Sequence, residues 1–349
     1  MKKVGIDVGY GLTKVYIGPP TPPIIFPSVI GLAEALRYEG NIISDQKYNG
    51  IHLILDEGGR FIGDLAINQS RTKWSARDRD RSGILTLILG ALSQIKLNDG
   101  DEIELITGLP VEWYKQDKSL LIEKLNGEHT IHLSDSDPYK IKIIKTLVVM
   151  QPFGSYFYRL FDSKTPPDPD IEFGRSKIGV IDIGTYTTDY IIADQGQLFE
   201  PGSSSITTGM AKVFDLLRSA IRNKHRIDPT TREVEAAVKT GKIKIRGIDT
   251  EIDNELDEIL IAVSNEIEGE IASRWAGNDH SLDLIIVAGG GASNIGPYLI
   301  DRFPQIEILE KSHITNVIGY YRYLQFKTSF EPVFVKPIKT HTQQLNGVK

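Results

Sequence analysis

One short pattern occurs twice in this chain, and it constrains the fold more than any other feature. Gly5-Ile6-Asp7-Val8-Gly9-Tyr10-Gly11-Leu12-Thr13-Lys14-Val15 returns in altered form as Val180-Ile181-Asp182-Ile183-Gly184-Thr185-Tyr186-Thr187-Thr188-Asp189-Tyr190. The copies lie 175 residues apart in a chain of 349, so the second begins near the midpoint. Each is an apolar run ending in Asp-x-Gly, then small or polar residues, then a second apolar run. That reads as a strand, a tight glycine turn and a returning strand, with an aspartate at the rim of the turn. Two such hairpins facing each other offer two carboxylates and two sets of turn amides to one ligand, and the ligand that suits them is a metal-bound polyphosphate.

Composition narrows the alternatives. The length supports about two domains of roughly 150 residues each. At 40% hydrophobic and 25% charged residues the chain is ordinary globular material. A net charge of −6 argues against direct nucleic-acid binding, which needs a basic face. The absence of cysteine excludes disulfides, thiolate zinc sites and thiol catalysis. Met1-Lys2-Lys3 leads straight into a strand with no signal peptide, and no apolar run approaches a membrane span of about 18 residues. A soluble cytoplasmic protein is expected.

The chain divides at Asp162-Ser163-Lys164-Thr165-Pro166-Pro167-Asp168-Pro169-Asp170, where three prolines and several charges stop a helix or a central strand. A first lobe is expected over 1–165, with a more polar subdomain inserted at about 31–80. A second is expected over 166–325, with a helical subdomain at about 226–279. Residues 326–349 would return to the first lobe or be disordered. The spacing predicts strands at Ile103–Thr107, Thr146–Met150, Ile178–Ile183, Tyr186–Ala193 and Leu284–Ala288. Helices are predicted at Ser155–Leu160, Ala211–Lys224 and Glu251–Ser273, the last with apolar residues at helical spacing. Strands mixed with helices in two similar halves indicate an α/β fold of duplicated origin.

A carboxylate just past the end of a buried strand is placed to hold magnesium-bound water, because magnesium keeps several waters and prefers one or two carboxylates plus phosphate oxygens. This assigns the metal to Asp7 and Asp182. Glycines after each aspartate let backbone amides approach phosphate. Lys14, on the returning strand, can reach a β- or γ-phosphate. Gly289-Gly290-Gly291 follows an apolar strand, and three successive glycines imply close backbone approach, as to a flat nucleobase. A dinucleotide-binding loop does not fit, because Gly9-x-Gly11 leads into a strand-like segment and not a helix, and no Walker lysine motif is present.

These motifs, in this order, resemble the superfamily of actin, heat-shock chaperones and sugar kinases. Asp7-x-Gly9-x-Gly11-x-x-Lys14 resembles its first phosphate motif and Gln151-Pro152-Phe153-Gly154 its first connecting segment. Asp182-x-Gly184-Thr185 with Asp189 resembles the second phosphate motif. Val287-Ala288-Gly289-Gly290-Gly291-Ala292 resembles the adenosine motif, and Asn316-Val317-Ile318-Gly319-Tyr320 the second connecting segment. The chain looks most like the ParM-type prokaryotic actins and their archaeal relatives. The resemblance implies a duplicated, ribonuclease H-like α/β fold whose two lobes enclose a nucleotide cleft. It implies ATP or ADP with Mg2+. Gly9, Tyr10, Gly11, Lys14, Gly184, Thr185, Tyr186, Thr187, Gly209, Gly289, Gly290, Gly291 and Ala292 would touch nucleotide. Asp7, Asp182 and Gln151 would be catalytic, with Gln151 orienting the attacking water by position, since an amide is not a strong base. Asp189 would add a hydrogen bond to magnesium-bound water. The function implied is ATP-dependent assembly into a helical filament with slow hydrolysis, for plasmid or DNA segregation through a DNA-binding adaptor, with no direct nucleic-acid contact and no membrane. Alternatives are a cell-shape or organelle-positioning actin and a small-molecule kinase of the same superfamily.

Other patterns read as ordinary surface. His129 and His132, three apart on a strand, face opposite sides and do not share a metal. The run from Arg71 to Arg81 is mixed in charge and reads as a solvated loop, with Trp74 the residue that would mark a contact. Lys239–Arg246 alternates like an edge strand guarded by lysines. The tail from Pro332 is polar and not an amphipathic helix.

Overall fold

The two repeats occupy equivalent places in two sheets that are wired alike. The computed structural model describes residues 1–33, 50–75 and 82–330. The first half contains β1 (Lys2–Val8), β2 (Leu12–Tyr16), β3 (Ile24–Pro27), β4 (Val29–Leu32), β5 (Ile51–Leu55), β6 (Gly58–Ile62), α1 (Asp64–Gln69), β7 (Lys73–Ser75) and α2 (Ser82–Ser93). It continues through β8 (Asp101–Leu109), α3 (Val111–Leu125), β9 (Gly127–Ile131), β10 (Tyr139–Met150) and α4 (Pro152–Leu160). After α5 (Ile171–Arg175) come β11 (Lys177–Ile183), β12 (Thr188–Asp194), β13 (Gln197–Ile206), α6 (Met210–His225), α7 (Thr231–Thr240), β14 (Lys242–Ile245) and β15 (Ile248–Glu251). The second half closes with α8 (Asp253–Trp275), β16 (Leu284–Ala288), α9 (Ala292–Leu299), β17 (Ile306–Ile308) and α10 (Thr315–Phe330).

The first sheet has the order β3-β2-β1-β8-β10-β9 and the second β13-β12-β11-β16-β17. In each, three strands form an antiparallel meander, and two later strands add in parallel beside the first of them. The fold is therefore a duplicated α/β architecture. Strands β11 and β16 are near-continuous apolar runs because both faces of these parallel strands are covered. The register confirms that the hairpins are equivalent: Asp7 pairs with Lys14 across β1 and β2, and Asp182 pairs with Asp189 across β11 and β12.

Helices α2 and α3 cover one face of the first sheet through Leu87, Ile88, Leu92, Leu121 and Leu125. Helices α6, α8 and α9 cover one face of the second through Val213, Leu217, Ile267, Trp275 and Ile295. Burying each such side chain contributes about 1.5–3 kcal/mol. The inner faces are covered by α4 and α10, which exchange partners. α4 leaves the first sheet but packs its Tyr156 and Phe157 with Val180 and Ile191 of the second. α10 leaves the second half but packs its Tyr320 and Leu324 against Ile106 of the first. The two helices cross at glycines. A Cβ on Gly319 would overlap the carbonyl of Gly154 and lie 2.6 Å from the Tyr158 amide, and one on Gly154 would lie 2.5 Å from Asn316 Cα. Phe157 stacks on Tyr323 beside the crossing, with centroids 4.1 Å apart.

Several expected boundaries move. The helix expected from Ser155 begins at Pro152, whose missing amide hydrogen suits a first helical turn. The strand expected from Tyr186 begins at Thr188, because Tyr186 and Thr187 belong to the turn. A lobe limit at 325 would cut α10, which runs unbroken to Phe330. The described part of the 31–80 segment forms a four-stranded sheet, β5-β6-β4-β7, with α1. The 226–279 region is not purely helical, since it carries the hairpin β14–β15. Within the expected edge strand Lys239–Arg246, Lys239 and Thr240 end α7, which Gly241 closes at φ 68°. His129 lies on β9 with its ring on the Leu125 carbonyl at 2.7 Å, and His132 lies past the strand's end. The charged stretch 76–81 and the tail from 331 lie outside the described residues.

Candidate functional site

The cleft is built from strand ends. β1 delivers Asp7 and β11 delivers Asp182, both buried, from the two sheets toward each other. The turn after each aspartate closes in the same way: Gly9 N–H donates to Leu12 O at 3.1 Å, and Gly184 N–H donates to Thr187 O at 2.8 Å. A Cβ at Gly9 or Gly184 would crowd that same carbonyl, at 3.0 and 2.9 Å. The tips also meet across the cleft, where a Cβ on Gly11 would overlap the Thr185 hydroxyl. Gly289 has φ +87°, and a Cβ there would overlap both Asp182 Oδ1 and the Ile183 carbonyl. The third glycine segment is thus pressed directly on the second aspartate.

Of the residues expected at the site, Asp7, Gly9, Tyr10, Gly11, Lys14, Gln151, Asp182, Gly184, Thr185, Thr187, Asp189, Gly289 and Gly290 line this one cleft. Tyr186, Gly209, Gly291 and Ala292 adjoin the cleft without lining it. Tyr186 lies edge-on to Tyr10, with centroids 5.8 Å apart. Gly209 packs on the carbonyls of Gly184 and Thr185. Gly291 donates its amide to Ile183 O at 2.9 Å, and Ala292 is fully buried in the first turn of α9.

The polar partners are unequal on the two sides. Lys14 Nζ holds Asp7 Oδ2 at 2.7 Å, with both side chains largely buried. Gln151, at the start of α4, directs Nε2 to Asp7 Oδ1 at 3.4 Å and to Val8 O at 3.3 Å. On the other side Asn316 Nδ2 donates to Asp182 Oδ2 at 2.6 Å. Asn316 is oriented by Ser155, whose hydroxyl donates to its Oδ1 at 2.6 Å, and Ser155 in turn meets Thr315 at 2.8 Å. Tyr320 donates to the Gln151 carbonyl at 3.2 Å, and burial raises its phenol well above the ordinary range. Both connecting helices therefore touch an aspartate-bearing strand end.

Asp182 carries the electrostatic signature of the cleft. Its carboxyl is pushed up to about 7, first by burial and then by the nearby charges of Asp7 and Asp189; the Asn316 hydrogen bond and the Lys14 charge oppose the rise. Three carboxylates share a cleft in which Lys14 balances one of them, so the site is short of positive charge. Among the described residues no group of three or more His, Cys, Asp or Glu could hold a metal. Two carboxylates and turn amides instead suit an ion such as magnesium, which keeps its own waters and takes its remaining ligands from phosphate. The donor set thus fits a magnesium–polyphosphate.

Asp189 lines the cleft and also makes direct contacts beyond it. Its Oδ1 accepts the Val111 amide at 3.0 Å and the Ser205 hydroxyl, and Oδ2 accepts Thr187 Oγ1 at 3.1 Å. The carboxylate clasps the N-terminus of α3 to β12 and β13, so it ties one half of the molecule to the other. Lys115 and Glu200 form a second, exposed tie at 3.0 Å. Asn316 begins the second connecting motif, but its hold on Asp182, the support it takes from Ser155, and the places of Ser312 and His313 at the cleft have no local signal, since each depends on a strand or helix far away in sequence.

Comparison with known proteins agrees with this geometry. Residues 5–154 match the model of the actin-like proteins' N-terminal domain, and residues 180–301 match that of the C-terminal domain of an archaeal actin homologue, MreB-like. Together these cover well over half of the chain. Among solved structures, Ta0583, an archaeal actin homologue, aligns with TM-score 0.78 at 20% identity, over 93% of this chain and 99% of that one. A 15-stranded ParM filament from Clostridium botulinum aligns with TM-score 0.74 at 23% identity, over 92% and 98%. Bacillus thuringiensis ParM with ADP aligns with TM-score 0.68 at 18% identity, over 94% and 99%. No curated protein matches by sequence.

Proposed function

We propose that this chain, which belongs to the actin-like protein family, is an ATPase that assembles with its own copies into filaments. The observation that carries the reading is the pair Asp7 and Asp182, delivered by equivalent hairpins of two equivalent sheets into one cleft beside Lys14. ADP is bound in one solved structure of Ta0583 and in the Bacillus thuringiensis ParM, and the Clostridium botulinum ParM forms a filament. These supply the analogy for nucleotide and assembly.

The chain's own residues divide the work. Asp7 and Asp182 would hold a magnesium ion through its waters, and the ion when bound would supply charge neutralisation at the phosphates. The turn amides at 10–11 and 185–187 cradle phosphate oxygens, Lys14, paired with Asp7, adds a cation for the terminal phosphates, and Gly289–Gly290 present backbone to the adenosine. Gln151 orients the attacking water by position. The lobes, 1–165 and 166 to about 314, close on nucleotide by pivoting where Gly154 and Gly319 cross, with α10 shared between them. Segregation of plasmid or other DNA through an adaptor, in the cytoplasm, is the cellular role favoured, since the net charge of −6 suits neither a direct DNA contact nor an anionic membrane surface.

Phosphate release measured against protein concentration tests the reading. It predicts a specific rate that rises with concentration as subunits assemble, and its loss in Asp182→Ala. A concentration-independent rate, or normal hydrolysis by that variant, would overturn it.

A further inference from the structure

His313 is a cleft residue to which the reading above assigns no role. It sits in a 3-10 turn, Ser312–Ile314, that joins β17 to α10, and it lines the cleft together with Lys14, Gly289, Gly290 and Asn316. The turn is held from below: Thr315 donates to Ser312 O at 2.8 Å, and Gly289 N–H donates to the same carbonyl at 3.3 Å. Ser312 is buried by these contacts, whereas His313 is left exposed at the mouth. Among the described residues its ring nitrogens have no hydrogen-bond partner, so the ring is available to a ligand.

The surroundings of the imidazole are cationic. Burial, and after it the charges of Lys14 on β2, Lys239 on α7 and Lys311 beside it, hold the ring's pKa below the ordinary value. Of the elements packed on the turn, β16 carries no titratable side chain and α9 only the phenol of Tyr298; the negative groups nearby are Glu310, just before Lys311, and the cleft carboxylates Asp7, Asp182 and Asp189. From α10, Thr315 is engaged by Ser312 and Asn316 by Asp182. Burial first, and then the three lysine charges, disfavour the protonated ring in the nucleotide-free protein. A polyphosphate entering the cleft reverses the balance, since it brings several negative charges within reach of those lysines.

Resting on the nucleotide-binding reading, we propose that His313 is a direct contact to the nucleotide and that its ring holds a proton more tightly once the nucleotide is bound. Binding then takes up a proton, and affinity rises as pH falls toward 6. The sign follows from linkage. If the bound state holds the proton more tightly than the free state, acid favours the bound state, between the free-state and bound-state pKa values. For an acidic protein that turns over its own assemblies, this couples nucleotide retention to pH without any change in the magnesium ligands.

The test is calorimetric titration of ADP, in EDTA, into the full chain at pH 6, 7 and 8, each in two buffers of different ionisation enthalpy. Wild type, His313→Gln and His313→Lys are compared, with circular dichroism as the folding check. Protonation of ADP itself and of the cleft carboxylates is common to all three proteins and cancels in the comparison. A rise of about one pKa unit on binding corresponds to about tenfold in affinity. Wild type is therefore expected to gain about three- to tenfold more affinity than His313→Gln between pH 8 and pH 6, and to take up a fraction of a proton that the variant does not. His313→Lys, a permanent cation, should bind tightly at pH 8 and lose the extra pH dependence. Equal pH slopes and equal proton uptake in wild type and His313→Gln would overturn the role of His313 and leave the nucleotide reading standing. Failure of the wild type to bind ADP at any pH would overturn the nucleotide reading, and this inference with it.

Discussion

Replacing Asp182 with Asn should make the nucleotide-free protein more stable at alkaline pH, although it removes a residue at the centre of the site. The carboxyl is buried beside Asp7 and Asp189, and its pKa is pushed from 3.8 to about 7. The folded protein therefore binds this proton more tightly than the unfolded chain. Below pH 4 both states are protonated and the aspartate costs nothing. As pH rises from about 4 to about 7 the unfolded chain ionises freely while the folded one resists, so stability falls, and the penalty is complete above about 7. A shift of about three units is worth on the order of 4 kcal/mol, which is a ceiling, because small rearrangements around an ionised carboxylate reduce it. Asparagine keeps the oxygen that accepts from Asn316, so the network through Ser155 survives. Urea unfolding in EDTA, without nucleotide, should show Asp182→Asn ahead of wild type by about 2–4 kcal/mol at pH 8, with the gap shrinking toward pH 4.5. Adding magnesium and ADP should reverse the order, since only the wild type retains both carboxylates for the ion. A gap that does not change with pH, or a variant less stable than wild type at pH 8, would refute the claim that the cleft stores uncompensated negative charge.

Three other substitutions probe separate parts of the arrangement. Lys14→Met leaves the buried Asp7 carboxylate without its cation and should cost about 3–5 kcal/mol in urea unfolding, with ATP affinity lowered as well. Gly319→Ala drives a methyl group into the carbonyl of Gly154 and should lower stability by at least about 1–3 kcal/mol; thermal unfolding at or above the wild-type midpoint would mean the helices do not cross this closely. Asp189→Asn weakens the clasp on α3 and should speed hydrogen exchange at the Val111 amide several-fold, with little change at amides of the second sheet such as Ile286; unchanged exchange at Val111 would show that the clasp is not what protects it.

The duplicated fold is legible in the sequence because it follows from local signals. The runs ending at Asp7 and Asp182 are apolar, and the glycines mark turns where any side chain would crowd the carbonyl three residues on. Lys14 and Asp189 fall at the same offset in the two copies, and the register places them opposite the two aspartates. What the sequence does not carry is anything set by distant contacts. Asn316 reaches Asp182 across 134 residues, and Asp189 accepts from Val111 across 78. No periodicity encodes either pairing. The reach of α10 to Phe330 was hidden for a related reason. The helix is apolar and aromatic on several sides because it is enclosed between a sheet and α4, so it lacks the one-sided pattern of a surface helix. His313 sits in a segment with no motif, and the hydrogen bond from the Gly289 amide to the Ser312 carbonyl holds its turn at the cleft.

The central claim is that nucleotide in the cleft drives assembly. Sedimentation of the full chain with magnesium and ATP, ADP or a non-hydrolysable ATP analogue, with the pellets viewed by negative-stain electron microscopy, tests it most directly. The account predicts filaments in the pellet with ATP and with the analogue, and far less pelleting with ADP or with Asp182→Ala. Protein that stays in the supernatant at high concentration with every nucleotide, while transferring phosphate to a small soluble acceptor, would contradict it.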